Sequence, residues 1–208
     1  MISTDPRAVL EAVVARYAAL ASYADRGAVH RRLREGAPLL SLPFTTRFKK
    51  PAWFRFEFSA PHPYPPLSHI VTRHVVGFDG RGAYRLTQRT GRALEIDAPP
   101  DLARAIVRAT GISAGAVHRI ARLLLPEVPG VSLLDLTDVR FNADTAIGAV
   151  ACHAIAARYP GGGVLELWIE KHTRLVRRVL EVGPELDSSE MREDIRVDEP
   201  LSDEAFAA

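Results

Sequence analysis

The sequence predicts a mainly β protein with added helices: a barrel or strongly curved antiparallel sheet that carries one leading helix and one helical pair in the middle. Three observations support this prediction. About ten short segments alternate apolar and polar residues with period two, as strands with one covered face do. Gly or Pro turns separate these segments, which is typical of antiparallel barrels. Helical spacing is confined to the start of the chain and to the region between the prolines at 99–100 and Pro126.

The leading helix has a clear start. Thr4 and Asp5 supply capping side chains, and Pro6 follows at the first helical position, where a missing N–H costs nothing. Apolar residues then recur at helical spacing and make one stripe, and we expect the helix to end near Ala21. The stripe is typical of a helix that covers a sheet; it consists of Val9, Leu10, Val13, Val14, Tyr17 and Leu20.

An aromatic stretch at 44–58 follows a predicted surface strand at 22–35 and a turn at 36–38. It reads as two strand halves joined at Pro51. Side chains of a strand alternate faces, so one surface carries a row of phenylalanines and the other carries mostly charged residues. A packed core and the wall of a binding cavity would show the same alternation, and both remain open. The row consists of Phe44, Phe48, Phe54, Phe56 and Phe58.

The remaining elements follow from turn and capping residues. A proline-rich loop at 61–66 precedes a hairpin, whose strands at 70–78 and 82–88 flank an Asp-Gly turn. Asp101 caps a helix at 102–109 that Gly111 ends, and Ser113 opens a second helix that ends before Pro126. Further strands are predicted at 133–141, 148–158, 164–170, 175–182 and 191–197, with residues 187–190 as a loop.

Length and charge limit the classes of function. A chain of 208 residues fits one domain, which we expect to span 1–208. A net charge of +2 gives no argument for nucleic acid or a membrane surface. No segment approaches the roughly 20 consecutive apolar residues that span a bilayer. Charged residues interrupt the alanine-rich stretch at 8–21, so no signal peptide is recognised there.

Five short motifs, taken in order, resemble the LolA/LolB-like lipoprotein localisation factor superfamily of the bacterial periplasm. They are a basic-basic-Pro strand at 49–54, an apolar strand ending in Asp-Gly at 75–80, both strands of a late hairpin at 167–170 and 175–178, and a tail at 197–206. The resemblance implies a half-open antiparallel β-barrel whose concave face is covered by the helices. It also implies an apolar cavity that binds acyl chains or another greasy ligand without catalysis or cofactor.

The resemblance also suggests which residues take part. The phenylalanine row would line the cavity, together with Leu165, Leu167 and Ile169 on a facing strand. Lys50 stands where the family carrier has an arginine that holds its lid, and lysine cannot make the same planar fork of donors. The second middle helix would contribute lid contacts through one apolar face, formed by Val117, Ile120 and Leu124.

The resemblance favours a carrier or sensor of a lipid or of lipoprotein acyl chains. The alternative is a periplasmic regulator that binds a protein, such as a membrane-associated one, on the same fold, and an enzyme is the least favoured. We expect a monomer that binds no nucleic acid. It would be periplasmic if a signal peptide has been removed, and cytoplasmic otherwise.

Other groups of reactive residues give weaker signals. The histidines at 62, 69 and 74 straddle a proline loop and have no acidic companion at metal-ligand spacing. Cys152 and His153 are strand neighbours that point to opposite faces, so we expect Cys152 to be a small buried hydrophobe. Basic clusters at 31–34, 47–50 and 177–178 fit either a solvated outer face or a docking surface for anionic groups.

Overall fold

The structure, a computed structural model, describes residues 5–32, 39–182 and 187–208. Within these ranges twelve strands form one antiparallel sheet, and three α-helices lie against it. The strands are β1 (Ser22–Arg32), β2 (Leu40–Lys49), β3 (Trp53–Pro61), β4 (Val71–Phe78), β5 (Ala83–Arg89), β6 (Glu95–Asp97), β7 (Thr137–Phe141), β8 (Thr145–Ile147), β9 (Val150–Arg158), β10 (Val164–Glu170), β11 (Val176–Val182) and β12 (Asp187–Val197). The helices are α1 (Pro6–Ala19), α2 (Leu102–Thr110) and α3 (Ala116–Leu124).

The sheet curves without closing. Its strand order is β6-β5-β4-β3-β2-β1-β12-β11-β10-β9-β7, and the short β8 pairs with β9. The two ends of this order, β6 and β7, do not pair with each other in the described part of the chain. A half-open antiparallel barrel with a leading helix and a central helical pair is therefore confirmed.

The helices begin and end at the residues that their capping chemistry requires. The Asp5 carboxylate accepts a hydrogen bond from the Arg7 backbone N–H at 2.9 Å, and α1 runs from Pro6 to Ala19. Asp101 caps α2 in the same way. The prediction that α3 opens at Ser113 is wrong, because Ala114 and Gly115 take left-handed φ angles of 50° and 80° and delay the helix to Ala116.

The aromatic stretch folds as predicted into two strands joined at Pro51. Phe44 faces Phe58 across the β2–β3 pair, and Phe48 faces Phe54. The rings pack closely, with 5.3 Å between the centroids of Phe44 and Phe56. All five phenylalanines are buried in one core cluster with side chains of α2 and α3. In this half of the sheet the helices fill the concavity.

Two strand predictions near the middle of the sheet are wrong. β1 is not a surface strand, because it lies between β2 and β12 and buries Tyr23 and Asp25. Residues 187–190 are not a loop, because they open β12 and pair with both β1 and β11. The prediction failed because a run of acidic and hydroxyl residues is more typical of a loop than of a strand. The predicted turn at 36–38 lies outside the described residues, and the short β6 and β8 were not predicted.

We expect Gly27→Ala to lower the free energy of unfolding by about 1–3 kcal/mol, because overpacking forces neighbouring atoms to shift. Gly27 lies in β1, and an added Cβ would overlap the Met191 carbonyl oxygen and lie 2.6 Å from the Phe44 ring. Urea unfolding would measure the loss. Gly82→Ala is the matched control, because its Cβ would meet nothing within 4 Å; equal costs at the two positions would contradict the prediction.

The last ten residues, 199–208, form a C-terminal strap across the outer face of β1–β5. The Ser22 hydroxyl donates to the Glu199 carbonyl at 2.6 Å, and the Tyr84 hydroxyl donates to the Phe206 carbonyl at 2.6 Å. Phe206 is fully buried and meets Trp53 edge-on at 5.6 Å. Two members of the predicted basic clusters, Arg47 and Lys49, also contact the strap, so this part of the outer face is occupied by the chain itself.

Candidate functional site

The other half of the sheet holds a cavity of about 680 Å³. It lies between α3, the segment 126–136 and strands β10–β12, with Val14 of α1 at one side. Its volume falls within the roughly 300–1,000 Å³ that is usual for small-molecule sites. The wall is aliphatic and is formed by Val14, Ile120, Leu123, Leu133, Leu136, Leu165, Leu167, Val176 and Val179.

The strand wall follows from simple alternation. In β10, Leu165, Leu167 and Ile169 point inward and are buried, while the residues between them are half-buried on the outer face. β11 adds Val176 and Val179 to the cavity wall. These residues are three apart, and both can point inward because the β10–β11 pairing shifts register between Trp168 and Ile169. The half-barrel therefore presents branched aliphatic side chains, and no phenylalanine, to the cavity.

α3 forms the opposite wall through its amphipathic pattern. Its buried face, which includes Val117, Ile120 and Leu124, packs into the core. Leu123 lies beside that face and reaches the cavity, together with Ile120 and Arg119. The helix therefore contributes both apolar surface and one cation to the site.

One flank of the cavity is polar, and we call it the polar flank: Arg119, Tyr159, Glu181, Glu190 and Arg192. The Arg119 guanidinium donates from Nε to Glu190 at 2.8 Å and from Nη1 to Glu181 at 3.0 Å. It also donates from Nη2 to the Ala114 carbonyl at 2.9 Å. Arg119 thereby ties α3 to β11 and β12 from inside the barrel.

The polar flank continues into the core behind it. Arg192, whose side chain is 3% exposed, donates from Nη1 to Asp25 at 2.6 Å and from Nη2 to the Ala116 carbonyl at 3.4 Å. The Tyr23 hydroxyl donates to the same Asp25 oxygen at 2.6 Å. The Arg192 guanidinium also lies over the Phe44 ring, 4.9 Å from its centroid. A buried cation is thus compensated from several sides, as burial requires.

Charge states in this network are fixed by burial and by the ion pairs. Burial alone would raise the pKa of Glu190, but attraction to Arg192 and Arg119 outweighs it and holds the pKa below its ordinary value. Burial raises the pKa of Tyr17 to about 12 and raises the pKa of Tyr23 as well, so both stay neutral. At neutral pH the carboxylate is therefore ionised and the phenols are protonated.

The cavity opens to solvent beside the segment that follows α3. Val131 and Leu134 line it and are 43% and 41% exposed. Arg7 of α1 holds this segment by donating to the Leu134 carbonyl at 2.7 Å and to the Leu136 carbonyl at 2.8 Å. The opening therefore has an apolar edge on a segment that is anchored to the leading helix.

The structure separates the residues that sequence reasoning grouped as a ligand site. Leu165 and Leu167 line the cavity, whereas Ile169 and the five phenylalanines lie in the packed core. Of the predicted lid contacts, Ile120 lines the cavity, and Val117 and Leu124 are buried in the core. Lys50 donates to the Ala18 carbonyl at 2.9 Å, so it contacts α1 rather than the central helices. A binding role for the phenylalanine row stays a prediction.

Sequence reasoning missed the polar flank altogether. One signal was present: Ser188, Glu190 and Arg192 recur with period two and are all buried on one face of β12. A polar period-two pattern is usually solvent-facing, and only the position of Arg119, about 70 residues away in sequence, shows that this one is not.

The described ranges contain no group of three or more His, Cys, Asp or Glu side chains placed to hold a metal ion. They also contain no helix with the length and hydropathy needed to cross a membrane.

No protein-family model matches the chain, and no curated protein matches it in sequence. Among solved structures it is similar to LprF from Mycobacterium bovis, with a TM-score of 0.59, 14% identity and 96% of each chain covered. It is also similar to an uncharacterised conserved protein from Thermus thermophilus, with a TM-score of 0.47, 11% identity, and 94% of this chain and 91% of that chain covered.

A third similar structure is the LolA superfamily protein NE2245 from Nitrosomonas europaea, with a TM-score of 0.42, 9% identity and 99% of each chain covered. At these sequence identities the likeness extends to the fold alone, and the comparison of folds is made with LprF, whose TM-score is above 0.5. The likeness to LprF extends over almost the whole of both chains. The chain therefore has a half-open antiparallel barrel fold that is similar to that of LprF.

Proposed function

We propose that this chain is a non-catalytic binding protein that carries or senses a hydrophobic ligand, such as a lipid or lipoprotein acyl chains. The observation that carries the proposal is the aliphatic cavity of about 680 Å³ beneath α3, open to solvent between exposed apolar side chains. Binding sites for greasy ligands are concave and mostly apolar, with few polar anchors. This cavity has that composition.

Burial of an alkyl chain supplies enough free energy for such a role. Each buried methylene contributes about 0.8 kcal/mol. A chain of ten or so methylenes would therefore gain roughly 8 kcal/mol, which exceeds the lower estimates of the cost of immobilising a ligand. The aliphatic wall provides contacts along a path from Leu134 at the opening to Leu167 and Val176 on the strands.

Two of the ionisable groups at the cavity, Glu190 and Tyr159, favour a binding role over catalysis. A general acid or base works best when its pKa lies near the working pH. Here Glu190 is held ionised by two arginines, and burial raises the pKa of Tyr159 above its ordinary value. Both groups are therefore shifted away from neutral pH rather than towards it.

We further propose that the protein acts in the periplasm as a monomer and passes its ligand to, or reports it to, a membrane-associated partner. The motifs at 49–54 and 75–80, which resemble the LolA/LolB-like superfamily, support this placement. Val131 and Leu134 give the opening an apolar edge along which a ligand could enter or leave.

We expect Leu123→Trp to weaken binding of an uncharged fluorescent acyl probe by about tenfold, a loss of about 1.4 kcal/mol, because the indole would occupy cavity volume. Leu123 is half-buried on α3 and lines the cavity. Leu102→Trp is the matched control, since Leu102 is a half-buried leucine on α2 that does not line it. Probe titration and thermal unfolding would be measured for both variants.

Native mass spectrometry after mild purification would test the same proposal without a probe. A mass increment that matches a lipid, lost in Leu123→Trp and kept in Leu102→Trp, supports it. Failure to take up any acyl probe, combined with purification of the chain free of lipid, would overturn it.

The second candidate is a protein-binding regulator on the same fold. It is favoured by exposed apolar side chains on the helical cover and the segment after it: Val107, Ile112, Val131 and Leu134. Large exposed apolar side chains mark a contact with another protein where they join into one patch, so these four residues would form the docking surface. A chain that ignores acyl probes, but elutes in a stoichiometric complex with one membrane-associated protein, would favour this candidate over the first.

A further inference from the structure

We propose that the cavity selects amphiphiles whose polar group donates hydrogen bonds and carries no negative charge, such as a hydroxyl or an amine, over the same chain ending in a carboxylate. The inference rests on the proposed binding function and concerns the polar flank. It follows from which donors and acceptors of that flank are already used, and from the balance of charge there.

The cations of the polar flank have their donors engaged. Arg119 donates to Glu190, Glu181 and the Ala114 carbonyl at 2.8–3.0 Å. Arg192 donates to Asp25 and the Ala116 carbonyl. An arginine binds an anion well when its planar fork of N–H groups is free for bidentate contact. Neither fork is free here, so an incoming carboxylate would have to displace an existing ion pair.

One acceptor, in contrast, remains within reach of a ligand. Both oxygens of the buried Glu190 are engaged, since Oε2 accepts from Arg119 and Oε1 lies against the Arg192 guanidinium. Glu181 bonds Arg119 through Oε2, and its side chain is 27% exposed along the cavity. A carboxylate can accept several hydrogen bonds. A ligand hydroxyl or ammonium could therefore donate to Glu181 without breaking its ion pair.

The charges around Glu181 point in the same direction. Within the polar flank Arg119 is shared by Glu181 and Glu190, and Arg192 is shared by Glu190 and by Asp25 behind the flank. Tyr159 adds no charge, since burial raises the pKa of its hydroxyl. A ligand carboxylate beside Glu181 would add a negative charge next to cations that are already shared, and like charges at close range repel.

Two further cationic or titratable groups on α3, His118 and Arg122, also line the cavity, and they define the competing arrangement. His118 contacts the Pro129 carbonyl through Nε2 at 2.7 Å, and Arg122 donates to the Pro126 carbonyl. Both are therefore engaged with the segment after α3. An acid whose headgroup paired with Arg122 would bind in the opposite orientation and would escape the repulsion.

The test uses three amphiphiles of one chain length, lauric acid, monolaurin and dodecylamine, each displacing an uncharged fluorescent acyl probe from the wild-type chain at pH 8. We expect monolaurin and dodecylamine to bind at least about tenfold more tightly than ionised lauric acid. In Glu181→Gln, which keeps the shape and removes one charge, the affinity for lauric acid should rise several-fold and the preference should shrink. Glu11→Gln, an exposed position on α1 away from the cavity, should change neither.

Equal or tighter binding of lauric acid by the wild type would overturn the inference while leaving the binding function intact. The same holds if Arg122→Gln, rather than Glu181→Gln, is the variant that changes lauric acid affinity. If the probe itself does not bind, the proposed function fails, and the inference fails with it.

Discussion

We expect Arg192→Leu to lower the free energy of unfolding by about 3–5 kcal/mol, because removing one partner of a buried ion pair leaves the other charge uncompensated. Here the Asp25 carboxylate, whose side chain is 0% exposed, would lose the arginine that pairs with it, and Glu190 would keep only Arg119. The substitution also removes the guanidinium from the face of Phe44. Urea unfolding followed by tryptophan fluorescence would measure the loss.

Arg26→Leu is the matched control for this prediction. Arg26 pairs with Asp194 at 2.6 Å on the neighbouring surface of β1 and β12, but the two side chains are 64% and 61% exposed. Exposed pairs contribute about 1 kcal/mol at most. If both substitutions cost the same, the buried network does not stabilise the fold as described. Adding Asp25→Asn to Arg192→Leu should recover part of the loss, because the buried charge that has lost its cation is removed.

The second large effect is expected at the C-terminal strap. Phe206→Ala should cost about 3–5 kcal/mol, the usual range for removing a fully buried phenylalanine. The ring lies beneath Lys49 and against Trp53, with its backbone carbonyl held by Tyr84. Loss of the ring would expose Trp53 to water. In a Trp168→Phe background, where Trp53 is the remaining tryptophan, its emission should shift to the red.

Tyr64→Ala serves as the comparison, because Tyr64 is 60% exposed in the loop before β4. A surface substitution of this kind usually changes stability by less than about 0.5 kcal/mol. An unchanged Trp53 emission in Phe206→Ala, together with a cost no greater than that of Tyr64→Ala, would show that the strap does not seal the outer face.

Much of the fold was predictable because local patterns determine it. Proline at 51 between two alternating aromatic runs predicts the β2–β3 pair, and the structure confirms it. Asp5 and Asp101 predict the starts of α1 and α2 through their capping oxygens. Errors arose where distant residues decide the outcome: β1 reads as a surface strand until β12 is placed beside it.

The candidate site was less predictable for the same reason. Alternation of Phe44 to Phe58 showed a covered face but gave no information on what covers it. The helices pack against that row, and the space remains opposite Leu165 and Leu167. The polar flank joins residues from α3, β11 and β12 that are far apart in sequence. Each looks like an ordinary surface residue until the fold brings them into contact.

The division of the sheet into an aromatic half and an aliphatic half has an evolutionary consequence. The aromatic half and the C-terminal strap are closely packed, whereas under the proposed function the size of the ligand would depend on a few branched side chains at 165, 167, 176 and 179. Shortening or lengthening those side chains by one methylene at a time would then change the size of ligand that fits. The scaffold would keep its strength throughout, so new specificities are reachable by small steps.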